Sequence, residues 1–248
     1  MSERPAVATR QPKHTEQPTL FELRTYETRP GRRDDLIAMF EQTFLDAYES
    51  NGARILATWR DLDDPDRWTW IRAFRDAPAR GAALAAFYES AAWKAGSRAC
   101  NATIAKTRSA LLLRPFSGGA IAEAPQRSSA AKSIIVADIH VLPSRSEAAF
   151  AAFFTSEVAA ALRDLGAAPF ATLLTDRSEN AFPRQRVRKA TIFVTLTRFA
   201  SRDACDAFRK ARDASAVWRS RAAPEIARRL SAPIETHRLQ PTARSALR

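Results

Sequence analysis

The chain has 248 residues and a formal net charge of +12, with 46% hydrophobic and 27% charged residues. This balance is typical of a folded globular protein and excludes disorder as its main state. No apolar run reaches the ~20 residues that cross a bilayer, and the first residues lack the apolar segment of a secretory signal. We therefore expect a cytoplasmic protein with no membrane partner. Two cysteines provide neither a disulfide framework nor a zinc cluster.

The positive charge is spread along the chain rather than concentrated on one element. One dense basic patch occurs, at Arg184, Arg186, Arg188 and Lys189. Nucleic-acid binding favours clustered basic residues with aromatic side chains available for stacking. We therefore expect no nucleic-acid partner.

The first part of the chain alternates between strand and helix patterns. We predict a strand at 21–27, a helix opened by Asp34 and ended by Asn51-Gly52, strands at 53–60 and 67–74, helices within 78–106, and a strand at 108–114. A polar, Pro-containing loop joins the two central strands, as is typical of a hairpin. The resulting order β-α-β-β-α-β is the ferredoxin-like unit.

The second part of the chain repeats this order. Three segments recur: Gly52–Thr58 as Gly166–Thr172, Pro30 to Phe40 as Pro143 to Phe153, and Phe74 to Trp93 as Phe199 to Trp218. Their common order indicates a tandem duplication. The second set of elements is a strand at 134–141, a helix at 146–165, strands at 170–175 and 190–199, helices within 202–230, and a strand at 234–239.

The repeat defines the domain organisation and the fold class. We predict a disordered tail at 1–18, a first repeat at 19–116, a small-residue linker at 117–132, a second repeat at 133–240 and a solvated tail at 241–248. The fold class is α+β: two tandem ferredoxin-like repeats whose antiparallel sheets pack as an intramolecular dimeric α/β barrel. The space between the sheets is the expected site of a small-molecule ligand. The chain forms either a closed monomer or a homodimer.

Several motifs of the first repeat resemble the NIPSNAP family. The opening strand Phe21–Tyr26, followed by Arg29-Pro30-Gly31, is similar to the family's "YELRTY…KPG" strand and turn. Residues 70–76 resemble its "HLWRYDD" segment in part, residues 89–93 resemble its "DPEW" stretch, and residues 111–116 resemble its closing strand. The resemblance covers residues 20–117 well and residues 133–240 weakly.

This resemblance implies a dimeric α/β-barrel fold of the ferredoxin-like superfamily. Relatives in that superfamily include cofactor-free monooxygenases, haem-binding enzymes, dehydratases and cyclases, so the resemblance specifies the fold better than the function. The third strand often carries His and Trp in the family, whereas this chain has Trp70 and Arg72. A role for that His is therefore absent here.

The first strand of each repeat carries the candidate catalytic residues. Alternation places Glu22, Arg24 and Tyr26 on one face of the first strand, and the equivalent positions are Val136, Asp138 and His140. If the apolar face packs under the helices, five polar side chains point into one cavity between the sheets: Glu22, Arg24, Tyr26, Asp138 and His140. We predict His140 as general acid or base, Asp138 as a residue that orients it or shares the acid–base work, and Tyr26 as a donor to a developing oxyanion. Glu22 and Arg24 would bind substrate, with Arg24 holding a carboxylate or enolate.

Two alternatives to this site remain open. Arg24 could instead pair with Glu22 or Asp138 in a buried ion pair that fixes the sheet register. His140 could be a haem ligand rather than a base. Among the lesser candidates, Trp59, Trp70 and Arg72 would add substrate contacts or belong to the core, and His237 lies two residues after Glu235 on the last strand.

An insertion at residues 177–188 lengthens one loop of the second repeat. It is either a lid or anion clamp over the cavity, or a solvated basic loop.

These observations support three functional hypotheses. The first is a small-molecule enzyme of bacterial secondary or catabolic metabolism that uses cofactor-independent acid–base catalysis for cyclisation, isomerisation, dehydration or oxygenation. The second is a non-catalytic binding or scaffold protein whose polar residues pair among themselves with no ligand-sized void. The third is a haem-binding protein. No bound metal is predicted.

Overall fold

A computed structural model describes residues 17–116, 121 and 132–248. Apart from residues 17, 18, 121 and 132, the predicted N-terminal tail (1–18) and the predicted linker (117–132) lie outside the described residues. We refer to residues 19–116 as the first half and to residues 133–241 as the second half.

The strands and helices follow the predicted order. The strands are β1 (Leu20–Thr28), β2 (Arg54–Asp61), β3 (Arg67–Phe74), β4 (Ile104–Thr107), β5 (Leu111–Pro115), β6 (Ile134–Leu142), β7 (Pro169–Thr175), β8 (Thr191–Phe199) and β9 (Glu235–Pro241). The helices are α1 (Arg33–Met39), α2 (Leu45–Ser50), α3 (Ala77–Glu89), α4 (Ala91–Thr103), α5 (Glu147–Phe153), α6 (Ala159–Asp164), α7 (Arg202–Ala214) and α8 (Ala223–Arg228). Short π-helical turns join α1 to α2, join α5 to α6 and precede α8: Phe40–Phe44, Phe154–Val158 and Trp218–Ala222.

The strands form one closed antiparallel barrel. The order is β3-β2-β9-β6-β8-β7-β5-β1, and pairing of β1 with β3 closes the ring of eight strands. The two halves join at both edges, where β2 pairs with β9 and β5 pairs with β7. The short strand β4, which was predicted as helix, pairs with the end of β1 beside the ring. The predicted barrel is therefore confirmed.

The inside of the barrel is filled by apolar side chains from both halves. Phe21 and Leu23 of β1 pack there with Ile135, Ala137 and Ile139 of β6. The prediction that the polar face of the first strands points between the sheets is therefore wrong, because the two faces are interchanged. Side chains from all eight strands converge inside a barrel of this size and fill it, so its inner face takes the compact apolar set.

The helices cover the outside of the barrel and repeat along the chain. Helical segments 33–50 and 147–164 have the same length, and each contains a π-helical turn at the same place, Phe40–Phe44 and Phe154–Val158, 114 residues apart. The glycines that follow, Gly52 and Gly166, both have positive φ values of +92° and +96°, a conformation that favours glycine. The structure thus aligns Phe40 with Phe154, one residue away from the sequence match with Phe153.

The C-terminal residues pack onto the first half instead of forming a solvated tail. A register shift in β2 between Ile55 and Ala57 leaves the Leu56 carbonyl free to accept from the N–H groups of Ala246 and Leu247, at 3.0 and 2.9 Å. Leu247 is fully buried in the barrel core. The predicted tail at 241–248 is corrected accordingly, because its apolar end completes that core.

Helix length and polarity also bear on membranes. Across residues 17–116, 121 and 132–248, no helix combines the length and apolar character needed to span a bilayer.

Candidate functional site

Each half contains one large cavity between the outer face of the barrel and its helices. The first cavity, mainly in the first half, has a volume of about 950 Å³ and is lined by Arg24 and Tyr26, and also by Ile139, Glu235 and His237 of the second half. The second cavity, in the second half, has a volume of about 730 Å³ and is lined by Asp138 and His140. The five predicted polar residues therefore do not converge on one ligand. Glu22 lines neither cavity.

A buried ion cluster lies beneath the first cavity. Glu22 is fully buried and accepts from Arg72 Nη2 at 2.7 Å and from Arg80 Nε at 2.5 Å. A third guanidinium, that of Arg24, stands 3.6 Å from the same Oε1 atom that Arg72 contacts. This arrangement matches the alternative in which Glu22 and Arg24 form a buried ion pair, and it adds Arg72, which was predicted to bind substrate.

The charges of this cluster keep its carboxylate ionised. Burial alone would raise the pKa of Glu22, but the positive charges of Arg72, Arg24 and Arg80 lower it to about 2. The same carboxylate raises the pKa of Arg72 against the effect of burial. Three positive charges thus share one negative charge inside the protein.

Arg24 makes fewer hydrogen bonds than Arg72 or Arg80, although Arg72 also has two buried nitrogens, Nε and Nη1, without a partner. It is 4% exposed, its Nη2 donates to the Tyr26 hydroxyl at 3.3 Å, and its buried Nε has no hydrogen-bond partner. Arg24 also lines the first cavity. A buried guanidinium with an unpaired donor at a cavity wall is a ready site for an acceptor group.

Aromatic side chains form the walls of the first cavity. Trp68 and Trp70 stack on each other with ring centres 5.6 Å apart, and Phe40 and Tyr26 pack against both rings. The indole Nε1 atoms of Trp68 and Trp70 are buried and have no hydrogen-bond partner. Trp59, which was predicted as a substrate contact, lies in the barrel core instead.

The 177–188 insertion packs over the first half, although it belongs to the second. Gln185 Oε1 accepts from Arg72 Nη2 at 2.9 Å and from Arg80 Nη2 at 3.1 Å. Phe182 stacks on Tyr88 with ring centres 5.5 Å apart. Gln185 and Phe182 are both buried, so the solvated-loop interpretation is wrong for this part of the insertion. Its role as a lid stays a prediction.

Sequence reasoning missed Arg80 and Gln185, the two cluster members that lie outside the first and third strands. Arg80 could have been found, because it shares the buried face of α3 with Leu84 and Phe87. Its proximity to the insertion also depends on Gly81, where an added Cβ would lie 2.8 Å from the Ala181 carbonyl oxygen. No sequence pattern identified the contact with Gln185.

The second cavity contains a buried histidine with a defined hydrogen bond. His140 is 3% exposed, and its Nδ1 lies 3.2 Å from the Phe193 carbonyl oxygen. A carbonyl oxygen only accepts, so Nδ1 carries the ring proton and Nε2 is the basic nitrogen. Burial lowers the pKa of His140, against the opposing effects of the Asp138 carboxylate and the nearby carbonyl groups. The imidazole is therefore neutral at pH 7.

Asp138 lies two residues before His140 on the same face of β6. Its Oδ1 accepts from the Thr236 hydroxyl at 2.6 Å, which orients the carboxylate. Thr195 is its register partner on β8, and both threonines line the second cavity. The remaining walls are mainly apolar: Val136, Phe154, Val158, Leu162, Phe199, Phe208, Trp218, Ile226 and Ile234.

The lesser candidate His237 lies on β9 and lines the first cavity, as does Glu235. Its Nδ1 lies 3.0 Å from Oδ2 of the buried Asp61, and Glu235 pairs with Arg188 at 2.8 Å. Hydrogen bonding to His237 helps to lower the pKa of Asp61 against the effect of burial. Among residues 17–116, 121 and 132–248, no group of three or more His, Cys, Asp or Glu residues is arranged to hold a metal ion.

Solved structures share the fold at low sequence identity. An anthrone oxidase-like protein has a TM-score of 0.65 at 16% identity, over 92% of this chain and 92% of that one. Candidate monooxygenases from Fusobacterium nucleatum and Lactobacillus acidophilus have TM-scores of 0.56 and 0.53 at 9% and 11% identity. These matches cover 92% and 91% of this chain, and 93% and 94% of the neighbours.

Sequence comparison finds a similarity to one family, in the first half. No curated protein matches the chain. The NIPSNAP family model matches residues 21–117, the region whose motifs resembled that family. Residues 21–117 are therefore similar to the NIPSNAP domain.

Proposed function

We propose that the protein is a small-molecule enzyme whose active site is the second cavity, with His140 as general base. One observation carries the proposal: His140 is buried at the wall of a ligand-sized, mainly apolar cavity, with its Nδ1 3.2 Å from the Phe193 carbonyl oxygen. Its Nε2 would remove a proton from a carbon acidified by an adjacent carbonyl or aromatic ring. The proposal does not include Tyr26, because Tyr26 lines the other cavity.

Asp138 supports the base in this proposal. Proton transfer to His140 creates an imidazolium, and a carboxylate two residues away on the same face stabilises that charge. The Thr236 hydroxyl holds the carboxylate in place. The apolar walls favour an aromatic or polycyclic substrate.

The reaction that we test first is oxygenation of a benzylic methylene group. After loss of a proton, the carbanion gives electrons to O2, and the hydroperoxide that forms loses water. Both C–H bonds of the methylene group break, one oxygen atom stays on the carbon as a carbonyl, and the other leaves as water with the two hydrogens. The substrate thus loses four electrons and O2 gains four. We choose this reaction among those predicted because the fold neighbours carry the names monooxygenase and anthrone oxidase-like.

We also infer that the halves are two ferredoxin-like repeats. The strand order is β5-β1-β3-β2 in the first half and β9-β6-β8-β7 in the second, so each sheet has the order 4-1-3-2 in its own numbering. This topology supports a duplication that placed one cavity in each half.

The experiment uses anthrone as the probe. Under anaerobic conditions in D2O, the protein should accelerate deuterium exchange at the anthrone methylene group, and in air it should consume one O2 for each anthraquinone formed. His140→Phe should lose both activities, whereas Lys210→Gln, an exposed change on α7, should keep them. Deuterium exchange without oxygen uptake would contradict the proposed oxygenation but would support His140 as the general base. Full exchange by His140→Phe would contradict the proposal.

The scaffold and haem alternatives give different results. A scaffold protein predicts neither exchange nor oxidation. A haem protein predicts a Soret band in the purified protein that is lost in His140→Ala.

A further inference from the structure

We propose that the first cavity is a second ligand site, separate from the His140 site, and that it binds the carboxylate of an aromatic acid through Arg24. The proposal does not depend on catalysis in the second cavity. It is carried by charge, by unpaired donors and by the shape of the cavity walls.

The charge balance of the buried cluster favours an anion. Glu22 contacts Arg72 and Arg80 at 2.7 and 2.5 Å, so one negative charge faces these two guanidinium groups as well as that of Arg24. Arg24 is left at 3.6 Å from a carboxylate oxygen that Arg72 already occupies. Burying charge without a close counterion is costly, and a bound carboxylate would remove that cost.

Three of the buried donors without a partner belong to side chains that line the first cavity. Arg24 Nε and the Nε1 atoms of Trp68 and Trp70 are buried without partners, and all three side chains line the first cavity. The Tyr26 hydroxyl adds a fourth polar group. Three N–H donors with no acceptor indicate a ligand that brings oxygen atoms with it.

The walls specify the rest of the ligand. The rings of Trp68, Trp70, Phe40 and Tyr26 offer flat apolar surfaces beside the guanidinium. Aromatic rings stack on such surfaces, whereas a small inorganic anion would leave most of the 950 Å³ unfilled. Arg72 and Arg80 contact Glu22, and of the three guanidinium groups in the cluster only that of Arg24 lines the cavity, which suits a single carboxylate.

The entrance is also basic. Lys106, Arg108, Arg184, Arg186 and Arg188 line the outer part of the cavity. Glu27 pairs with Arg108, and Glu235 pairs with Arg188. The remaining positive charge attracts an anionic ligand towards the opening.

The test compares 2-naphthoate with its neutral amide, 2-naphthamide. Binding is measured by calorimetry and by quenching of tryptophan fluorescence. The wild-type protein should bind one equivalent of 2-naphthoate and prefer it to 2-naphthamide. Arg24→Gln should weaken 2-naphthoate binding by about 10- to 100-fold. Arg24→Gln should leave the affinity for 2-naphthamide unchanged. The control variant Arg114→Gln, on the exposed face of β5, should leave the affinity for both probes unchanged.

One further variant and one wild-type measurement distinguish a loss of binding from a loss of folding. Trp68→Phe removes one indole N–H but keeps a ring, and should weaken 2-naphthoate binding by about 3- to 10-fold. The preference for naphthoate is measured in wild-type protein and needs no variant. Equal affinity for the two probes, or unchanged binding in Arg24→Gln, would overturn the proposal and assign the bound probe to the second cavity. The anthrone activities of the second cavity are measured separately, so failure of one site does not imply failure of the other.

Discussion

The two halves of the molecule carry side chains of different charge and hydrogen-bonding character at equivalent positions of the same scaffold. Arg24 and Tyr26 occupy the positions on β1 that Asp138 and His140 occupy on β6, each pair 114 residues apart. In both halves these side chains face a cavity beneath a helix with a π-helical turn, a feature frequent at functional sites. The first half presents donors and positive charge, whereas the second presents an acceptor and a base.

The facing residue pairs on the central strands of the two halves also differ in charge. Glu22 lies opposite Arg72 across β1 and β3, and the equivalent pair across β6 and β8 is Val136 and Thr197. The buried charged groups of the first half need hydrogen-bond partners. Gln185, from the insertion of the second half, accepts hydrogen bonds from two of them, Arg72 and Arg80. Divergence at a few facing positions has thus given one half a buried ion cluster and the other half an apolar and hydroxyl-bearing cavity wall.

The largest expected effect comes from removing the carboxylate of the ion cluster. Glu22→Gln leaves three buried arginines without a counterion and should lower the free energy of unfolding by about 3–5 kcal/mol. The equivalent change in the second half, Val136→Ala, removes only apolar contacts and should cost about 1 kcal/mol. Urea unfolding measures both. Equal losses would show that the ion cluster does not distinguish the halves.

The same cluster predicts a dependence of stability on pH. Because the pKa of Glu22 is about 2 in the folded protein and 4.5 ordinarily, its contribution is fully present above pH 4.5. It should be lost as the pH falls from 4.5 towards 2. The difference in unfolding free energy between wild type and Glu22→Gln should therefore narrow in that range. A difference that stays constant would mean that Glu22 titrates normally.

A smaller effect should follow from releasing the insertion. Gln185→Leu removes the acceptor shared by Arg72 and Arg80 and should cost about 2 kcal/mol. It should also speed tryptic cleavage after Arg184 and Arg186, both exposed in this loop. Ser178→Ala, an exposed change in the same loop, is the control. Cleavage at the wild-type rate would show that Gln185 does not anchor the insertion.

Much of the fold could be predicted from the sequence because hydrophobic periodicity is local. The alternation in residues 21–27 located β1 and grouped Glu22, Arg24 and Tyr26 on one face. Periodicity alone does not say which face of a strand points into the barrel, and the prediction that the polar face of β1 points inward is wrong. That choice depends on barrel closure at β2–β9 and β5–β7, a property of pairings between distant strands.

The candidate site was predictable in its residue types but not in its grouping. His140 and Asp138 were identified as a pair and do share the second cavity. Their separation from Arg24 could not be seen, because it follows from the inverted faces. The contacts of Gln185 with Arg80 span 105 residues and have no local signal.

His140 should make the stability of the protein depend on pH. Because burial lowers the pKa of His140, the unfolded chain binds a proton that the folded protein does not as the pH falls below 6.5. Wild-type stability should decrease from pH 6.5 downwards relative to His140→Phe, in which this linkage is absent. The other two histidines are present in both proteins, so the difference isolates His140. Parallel curves would mean that His140 titrates at its ordinary pKa.

The smallest expected effect concerns the orientation of Asp138. Thr236→Val removes the hydroxyl that donates to Asp138 Oδ1 and should slow anthrone deuterium exchange about fivefold, which corresponds to ~1 kcal/mol. If the hydroxyl acts through the carboxylate, the same change in an Asp138→Asn background should have little further effect. Additive losses would instead mean that Thr236 contacts the substrate directly. Unfolding free energies of all four proteins exclude a loss of folding as the cause, and a coupled result would place Asp138 as the group that stabilises protonated His140.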